Sequence, residues 1–372
     1  MTSIIYVGMD VHTTNYTLCC YSMEDDRFFA EVQVEPDAKN ILKYLARIEK
    51  QQSRDCRIVC GYEAGCLGYS LYHQLHAHGI DCVILAPTTM MTKPGKRIKT
   101  DRRDARLISK CLAFHTYSPV YIPTEVDNAV KEYIRMRDDA NSALARGKQQ
   151  IIAFCIRHGK IHDGKSYWTN KHLEWLSSLD LGNKILSEVL QEYLIRYYQL
   201  REQVDMYDMR INELAQAEPY RQKVEKLGCF RGIAAHTALS FCVEVGDFRR
   251  FATAQQFASY LGLVPGECSS GDKQQYTGIT KAGNSHLRKL LVETAQVFGR
   301  SATKSGKSVA LKERQAKCDS LTVAYADKAN ARLKKKYFKI AMRSKVNIAK
   351  TAVAREMACF IWGMMTDNIS CA

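Results

Sequence analysis

Between residues 186 and 214, apolar side chains recur in alternating steps of four and three: Leu186, Leu190, Tyr193, Tyr197, Leu200, Val204, Tyr207, Ile211 and Leu214. A strand would send alternate residues to opposite faces, so this spacing fits a helix. Its mean period of about 3.5 residues keeps one seam on one side throughout. Such a seam has to be covered by another helix. One candidate is the long polar-faced helix expected over 124–158, which would make a hairpin within the chain. The other is a second copy of the chain, which would make a dimerising coiled coil. The seam's length and regularity favour the second copy, and with it a homo-oligomer, dimer or tetramer.

Upstream of this helical region the pattern changes. "IIYVGMDV", "YTLCCYS" and "RFFAEVQV" read as successive strands, followed by a helix over 37–50, the strand "CRIVCGYE", a helix over 67–78 and the strand "DCVILAP". That order predicts a mixed sheet flanked by helices. No glycine-rich phosphate loop follows any of these strands, so a nucleotide cofactor is not indicated. Downstream, "LGCFRGIAAHTALSFCVEVGDFRRF" has short helices broken by Gly228, Gly232 and Gly246, the pattern of a helix–hairpin–helix. Such hairpins present backbone N–H groups to phosphates. The expected division is therefore an α/β domain over 1–123, a helical coiled-coil region over 124–218 and a mainly α domain over 219–372.

Charge narrows the partners. The 372-residue chain carries a net charge of +15. From Arg300 to Arg355 there are 16 lysines and arginines against Glu313, Asp319 and Asp327. A concentration of this kind favours a polyanion. The 14 cysteines include no CxxC pair. Without a signal-peptide pattern they read as reduced thiols, and the expected location is cytoplasmic and nucleoid-associated. "MACFIWGMM" is too short to cross a bilayer, so no membrane partner is expected. His73, His76 and His78 do not share one helix face, which argues against a metal site there.

Four acids stand out from this background. Asp10 ends the first strand in "VGMDVH", and Glu63 ends another in "CGYEAG". Asp101 and Asp104 lie three apart in "KTDRRDAR", on one face of a helix. Metal-assisted phosphodiester chemistry uses two divalent ions roughly 4 Å apart, held by carboxylates from different elements. Mg²⁺ or Mn²⁺ suits such oxygen ligands. Lys99, Arg102, Arg103 and Arg106 would then contact the nucleic-acid backbone. Each acid has an ordinary alternative, as a turn or cap residue or an i,i+3 salt bridge. The coincidence of two at strand ends and two on the next helix favours a metal site.

The motifs "GMDVH", "YEAG" and "KTDRRDAR" resemble the N-terminal RuvC-like domain of the DEDD transposases of bacterial insertion sequences. These form the IS110 family, with the Piv invertase among its relatives. "YLGLVPGECSSGDKQQYTGITKAGNSHLRKLL" resembles that family's second block, and "TAVAREMACFIWGM" its IS1111-like branch. The resemblance covers nearly the whole chain. It implies a RuvC-like (RNase H-like) fold for the first domain, with Asp10, Glu63, Asp101 and Asp104 as the metal-binding tetrad. It implies a serine nucleophile before the glycine of "SSG": Ser270, with Ser269 as the near competitor. Lys273, Lys281 and Arg288 would stabilise charge at the phosphorus, and Lys334, Lys335 and Lys336 fit the basic nucleic-acid-binding helices. The family further implies site-specific recombination of donor and target DNA, guided by an element-encoded noncoding RNA. A Holliday-junction-type endonuclease using the carboxylates and water alone is the alternative. A non-enzymatic nucleic-acid scaffold is a third reading.

Overall fold

A computed structural model describes residues 3–52, 56–65, 67–90, 100–267, 275–300 and 306–369. The chain separates into two compact units, Met1–Ile122 and Pro123–Ala372.

The first unit is built on strands β1 (Ser3–Val11), β2 (Tyr16–Ser22) and β3 (Arg27–Val34), helix α1 (Ala38–Gln51), strand β4 (Cys56–Glu63), helix α2 (Ser70–Ala77), strand β5 (Asp81–Leu85) and helix α3 (Asp101–Ala113). The sheet order is β3-β2-β1-β4-β5. β1, β2 and β3 pair antiparallel, whereas β1–β4 and β4–β5 are parallel. Strand and helix runs therefore fall where the sequence pattern puts them. β2 is buried along its whole length, because both faces of the sheet are covered.

Side-chain alternation assigns the two faces. Ile5, Val7 and Met9 of β1, with Cys60 and Tyr62 of β4, pack with Ile41, Leu45 and Ile48 of α1 and Leu71 and Leu75 of α2. Those α1 positions repeat at helical spacing, and the helix is started by Asp37, whose carboxylate accepts from Lys39 N–H. Tyr6, Tyr21 and Leu85 pack on the other face with Ile108, Cys111 and Leu112 of α3. Even-numbered β1 residues and odd-numbered β4 residues thus face α3.

The second unit comprises α4 (Glu125–Arg157), α5 (Asn170–Ser177), α6 (Lys184–Gln216), α7 (Arg221–Gly228), α8 (Ala235–Val245), α9 (Ala254–Tyr260), the hairpin β6 (Pro265–Glu267) and β7 (Tyr276–Ile279), α10 (Ser285–Gly299), α11 (Val309–Gln315), α12 (Ser320–Ala341) and α13 (Val346–Met365). α4 and α6 run antiparallel: Tyr133 meets Tyr207, Arg137 grips Asp208 through two hydrogen bonds, and Phe154 meets Tyr193. Leu186, Leu190, Tyr193, Tyr197, Leu200 and Val204 pack with Leu144, Ile151 and Phe154, and Ile211 and Leu214 with Val130 and Ile134. The heptad seam is therefore covered within the chain. This corrects the expectation of a partner in a second copy: α4 supplies an apolar face of matching length. Val130, Ile134 and Ile211 also belong to the same core as Leu239, Phe241 and Val353, so the helical hairpin and the later helices form one unit.

One half-buried polar network joins these helices. Asp138 of α4 accepts from His286 Nε2 of α10 at 2.7 Å and from Arg137 Nη1 at 3.1 Å, and lies 2.9 Å from His236 Nε2 of α8. His286 Nδ1 lies 3.2 Å from Glu244, which also takes Arg135 at 3.0 Å and Asn284 Nδ2 at 2.8 Å. Burial alone would lower the His286 pKa, but Asp138 and Glu244 raise it from 6.5 to about 9. Burial would raise Glu244, yet His286, Asn284 and Arg135 bring it down to about 2. A histidine with a raised folded-state pKa contributes stability that is complete below its unfolded value and lost as pH rises through its folded value. Melting temperature should therefore fall as pH rises through about 9, and His286→Gln should flatten that fall. Equal slopes for parent and variant in thermal melts would remove His286 as the cause.

Candidate metal centre

Asp10 is the last-but-one residue of β1, and the parallel register runs to Met9 opposite Tyr62. Asp10 and Glu63 therefore follow side by side at the carboxyl ends of adjacent parallel strands, on the face covered by α3. Ligand sites of open α/β sheets form at such strand ends.

Two glycines on that face let α3 lie close. A Cβ on Gly8 would stand 2.0 Å from Ala105 O and 2.4 Å from Ser109 N, both backbone atoms of α3. On Gly61 it would meet the Leu112 and Leu85 side chains at 2.8 Å. With α3 seated on Gly8, its first turn comes over Asp10. Asp101 and Asp104 are half-buried toward the sheet, while Arg102, Arg103 and Arg106 point outward. Arg106 pairs with Glu31 of β3. Neither Asp101 nor Asp104 has an ion pair with an arginine among the described residues. Their place at the positive end of the helix eases the crowding of like charges.

Ligand atoms of Asp10, His12 and Asp101 all lie within 4.8 Å of one another, the one such group among the described residues. His12 Nε2 is 3.3 Å from Asp10 Oδ1, whereas Asp10 Oδ2 is buried with no hydrogen-bond partner. Burial raises the Asp10 pKa; His12 opposes this, and the charges of Asp104 and Asp101 add to it. An orphaned carboxylate oxygen beside two further carboxylates fits a hard divalent cation. Glu63, exposed at the end of β4, and Asp104 border this group without belonging to it. His12 was missed in the sequence, although its signal was there: residues i and i+2 of a strand share a face, and "DVH" puts an imidazole beside Asp10.

The other candidate residues are dispersed. Lys99, Ser269, Ser270 and Lys273 lie outside the described residues. Lys281 is exposed, in a left-handed turn at φ +56°. Arg288 donates to Leu261 O and Ala282 O, both at 2.9 Å, and so pins the turn that precedes α10. On α12, Lys335 is exposed, Lys334 is half-buried and Lys336 is held by Glu356 at 2.6 Å.

Comparison with known proteins decides the family. The transposase model of the IS110 DEDD type matches residues 7–156, and the model of the IS116/IS110/IS902 transposases matches residues 225–314. A putative transposase, y4qE, of Sinorhizobium fredii is 36% identical over 82% of this chain and 75% of its own length. The transposase for insertion sequence element IS1533 of Leptospira borgpetersenii is 32% identical over 90% of this chain and 95% of its own. The chain belongs to the IS116/IS110/IS902 transposase family. The transposase for element IS1111A of Coxiella burnetii is more distant, at 27% identity over 68% of this chain. The DEDD-type match contains all four acids, and the second contains the "SSG" segment and the turn pinned by Arg288.

Two outcomes follow from this geometry. Without divalent cation, Asp10→Asn should melt no lower than the parent, because it relieves buried repulsion; with Mg²⁺ only the parent should gain stability. An equal Mg²⁺ gain in the variant would place the ion elsewhere. Gly8→Ala should displace α3 and weaken Mn²⁺ binding, read by electron paramagnetic resonance, by about tenfold or more. Gly147→Ala, with open space around its Cβ position, should not. Parent-like affinity in Gly8→Ala would separate the ion from α3.

Proposed function

We propose that this transposase cuts and rejoins DNA by attack of Ser270 on a phosphodiester, and that the first unit holds the divalent ion this chemistry uses through Asp10, Glu63, Asp101 and Asp104, with His12 beside them. The observation that carries the reading is the Asp10–His12–Asp101 group at the strand ends, with the Asp104 charge acting on it. The sheet order, antiparallel across β3-β2-β1 and parallel across β1-β4-β5, supports a RuvC-like first unit. A bound Mg²⁺ or Mn²⁺ supplies charge withdrawal from a phosphate oxygen.

The chain's own groups do the rest. The Ser270 hydroxyl oxygen forms a bond to phosphorus and gives up its proton. The bond from phosphorus to one DNA oxygen breaks, and that oxygen leaves as a hydroxyl after taking up a proton. Reversal on a second strand rejoins the DNA without loss of the phosphoester bond. Lys273 and Lys281 stabilise the charge on the phosphorane oxygens. The α7–α8 hairpin, with Phe230 and Ile233 buried at its base and Gly232 at φ +86°, supports backbone contact with phosphates. Guidance by an element-encoded RNA and assembly as a homo-oligomer complete the proposal; the unevenly basic C-terminal segment supports the former.

The test is a covalent adduct. Denaturing gels of the reaction should show DNA attached to protein, released by protease, absent in Ser270→Ala and retained in Ser269→Ala. The reverse pattern would make Ser269 the nucleophile. Free cleaved ends with no adduct would favour the junction endonuclease acting through water, and no Mg²⁺-dependent strand chemistry at all would favour the scaffold.

A further inference from the structure

The turn between α12 and α13 is exposed along its whole length. Seven consecutive residues, 342–348, are exposed. Three are apolar: Met342 is 85% exposed, Val346 49% and Ile348 54%. Single exposed apolar residues are ordinary, but three at one tip form a patch that water covers poorly. Every charged residue around it in the sequence is a cation. Between Asp327 and Glu356 the chain has ten lysines and arginines and no acid. Lys339, Arg343 and Lys345 are exposed and without an ion pair among the described residues.

The tip stands on a rigid base. Leu333 and Tyr337 of α12 and Ala349 and Val353 of α13 are buried in the unit's core. Glu356 of α13, only 11% exposed, grips both Arg332 and Lys336 of α12 and locks the two helices together. At the turn, Arg343 N–H and Ser344 N–H both donate to Ile340 O, which closes the end of α12. The protruding side chains therefore project from a fixed support.

We infer that the α12–α13 tip docks on duplex DNA and inserts its apolar side chains, Met342 foremost, at a base step, while Lys339, Arg343 and Lys345 hold the flanking phosphates. The inference rests on the reading that this transposase acts on DNA, and it adds a surface and a mode of contact. Charge complementarity selects a nucleic acid as the occupant. The apolar patch selects DNA, because side chains that unstack base steps enter the minor groove, where RNA displays 2′-hydroxyls. A step opened in this way bends the duplex and helps to expose a strand for exchange.

The experiment uses the full-length protein and a short random-sequence duplex labelled at both ends for energy transfer, with permanganate oxidation reporting unstacked thymines. The parent should bend the duplex and expose thymines. The Met342→Ser, Val346→Ser, Ile348→Ser variant keeps every cation, so it should bind with an unchanged salt slope but lose bending and thymine reactivity. Lys339→Gln, Arg343→Gln, Lys345→Gln should lower the salt slope by up to about three units, at just under one per phosphate. Asp10→Asn should bend DNA like the parent, which separates this surface from the catalytic proposal. The inference is overturned if the serine variant bends DNA like the parent, or if the parent neither bends the duplex nor exposes thymines. It is also overturned if the glutamine variant loses slope on structured RNA but not on DNA, or if the serine substitutions lower the mass seen by light scattering with bending intact, which would assign the tip to a second copy.

Discussion

The close seat of α3 on Gly8 is the contact on which the first unit's acidic cluster depends. A glycine there lets a helix backbone approach the sheet to a distance that any side chain would forbid. The approach brings two carboxylates on the first turn of α3 over a third, Asp10, that is half-buried at the strand end. Folding therefore assembles a cluster of like charge with an orphaned oxygen, an arrangement that costs stability in the absence of a cation. Sites that break the local rules of stability in this way are where function is found.

The second unit offers an instructive contrast. Its half-buried acids, Asp138 and Glu244, are surrounded by Arg137, Arg135, His286 and Asn284, and both are held below the usual carboxylate range. In each case burial pushes the pKa upward, and donors on neighbouring helices outweigh it. Asp10 has burial and like charge acting together, with only His12 in opposition. One network ties α4, α8 and α10 together; the other leaves its acids without a cationic side chain among the described residues except His12. Burial of an acid alone does not distinguish the two cases, but the sign of its surroundings does.

Much of this was legible in the sequence. Apolar strand runs and the helical stretches between them placed the elements of the mixed sheet, and the "KTDRRDAR" spacing put both aspartates on one helix face, where the fold keeps them. The heptad seam also announced its helix but not its partner. A seam specifies an apolar stripe, and α4 presents one of matching length within the same chain. Basic residues were the least legible. Arg106, Arg288 and Lys336 look like backbone contacts in sequence, yet each is engaged by a carboxylate or carbonyl that only tertiary packing supplies. His12 was passed over although "DVH" places it two residues from Asp10; the spacing gave its side of the chain, and only the structure gave its 3.3 Å distance from Asp10 Oδ1.

Anomalous diffraction from crystals grown with Mn²⁺ tests most directly whether the strand ends and the first turn of α3 hold a divalent cation. A manganese peak is expected between the carboxylates of Asp10 and Asp101, lost in Asp101→Asn crystals. A peak at another place in the molecule, or none at Asp10 with Mn²⁺ in large excess, would contradict a site there.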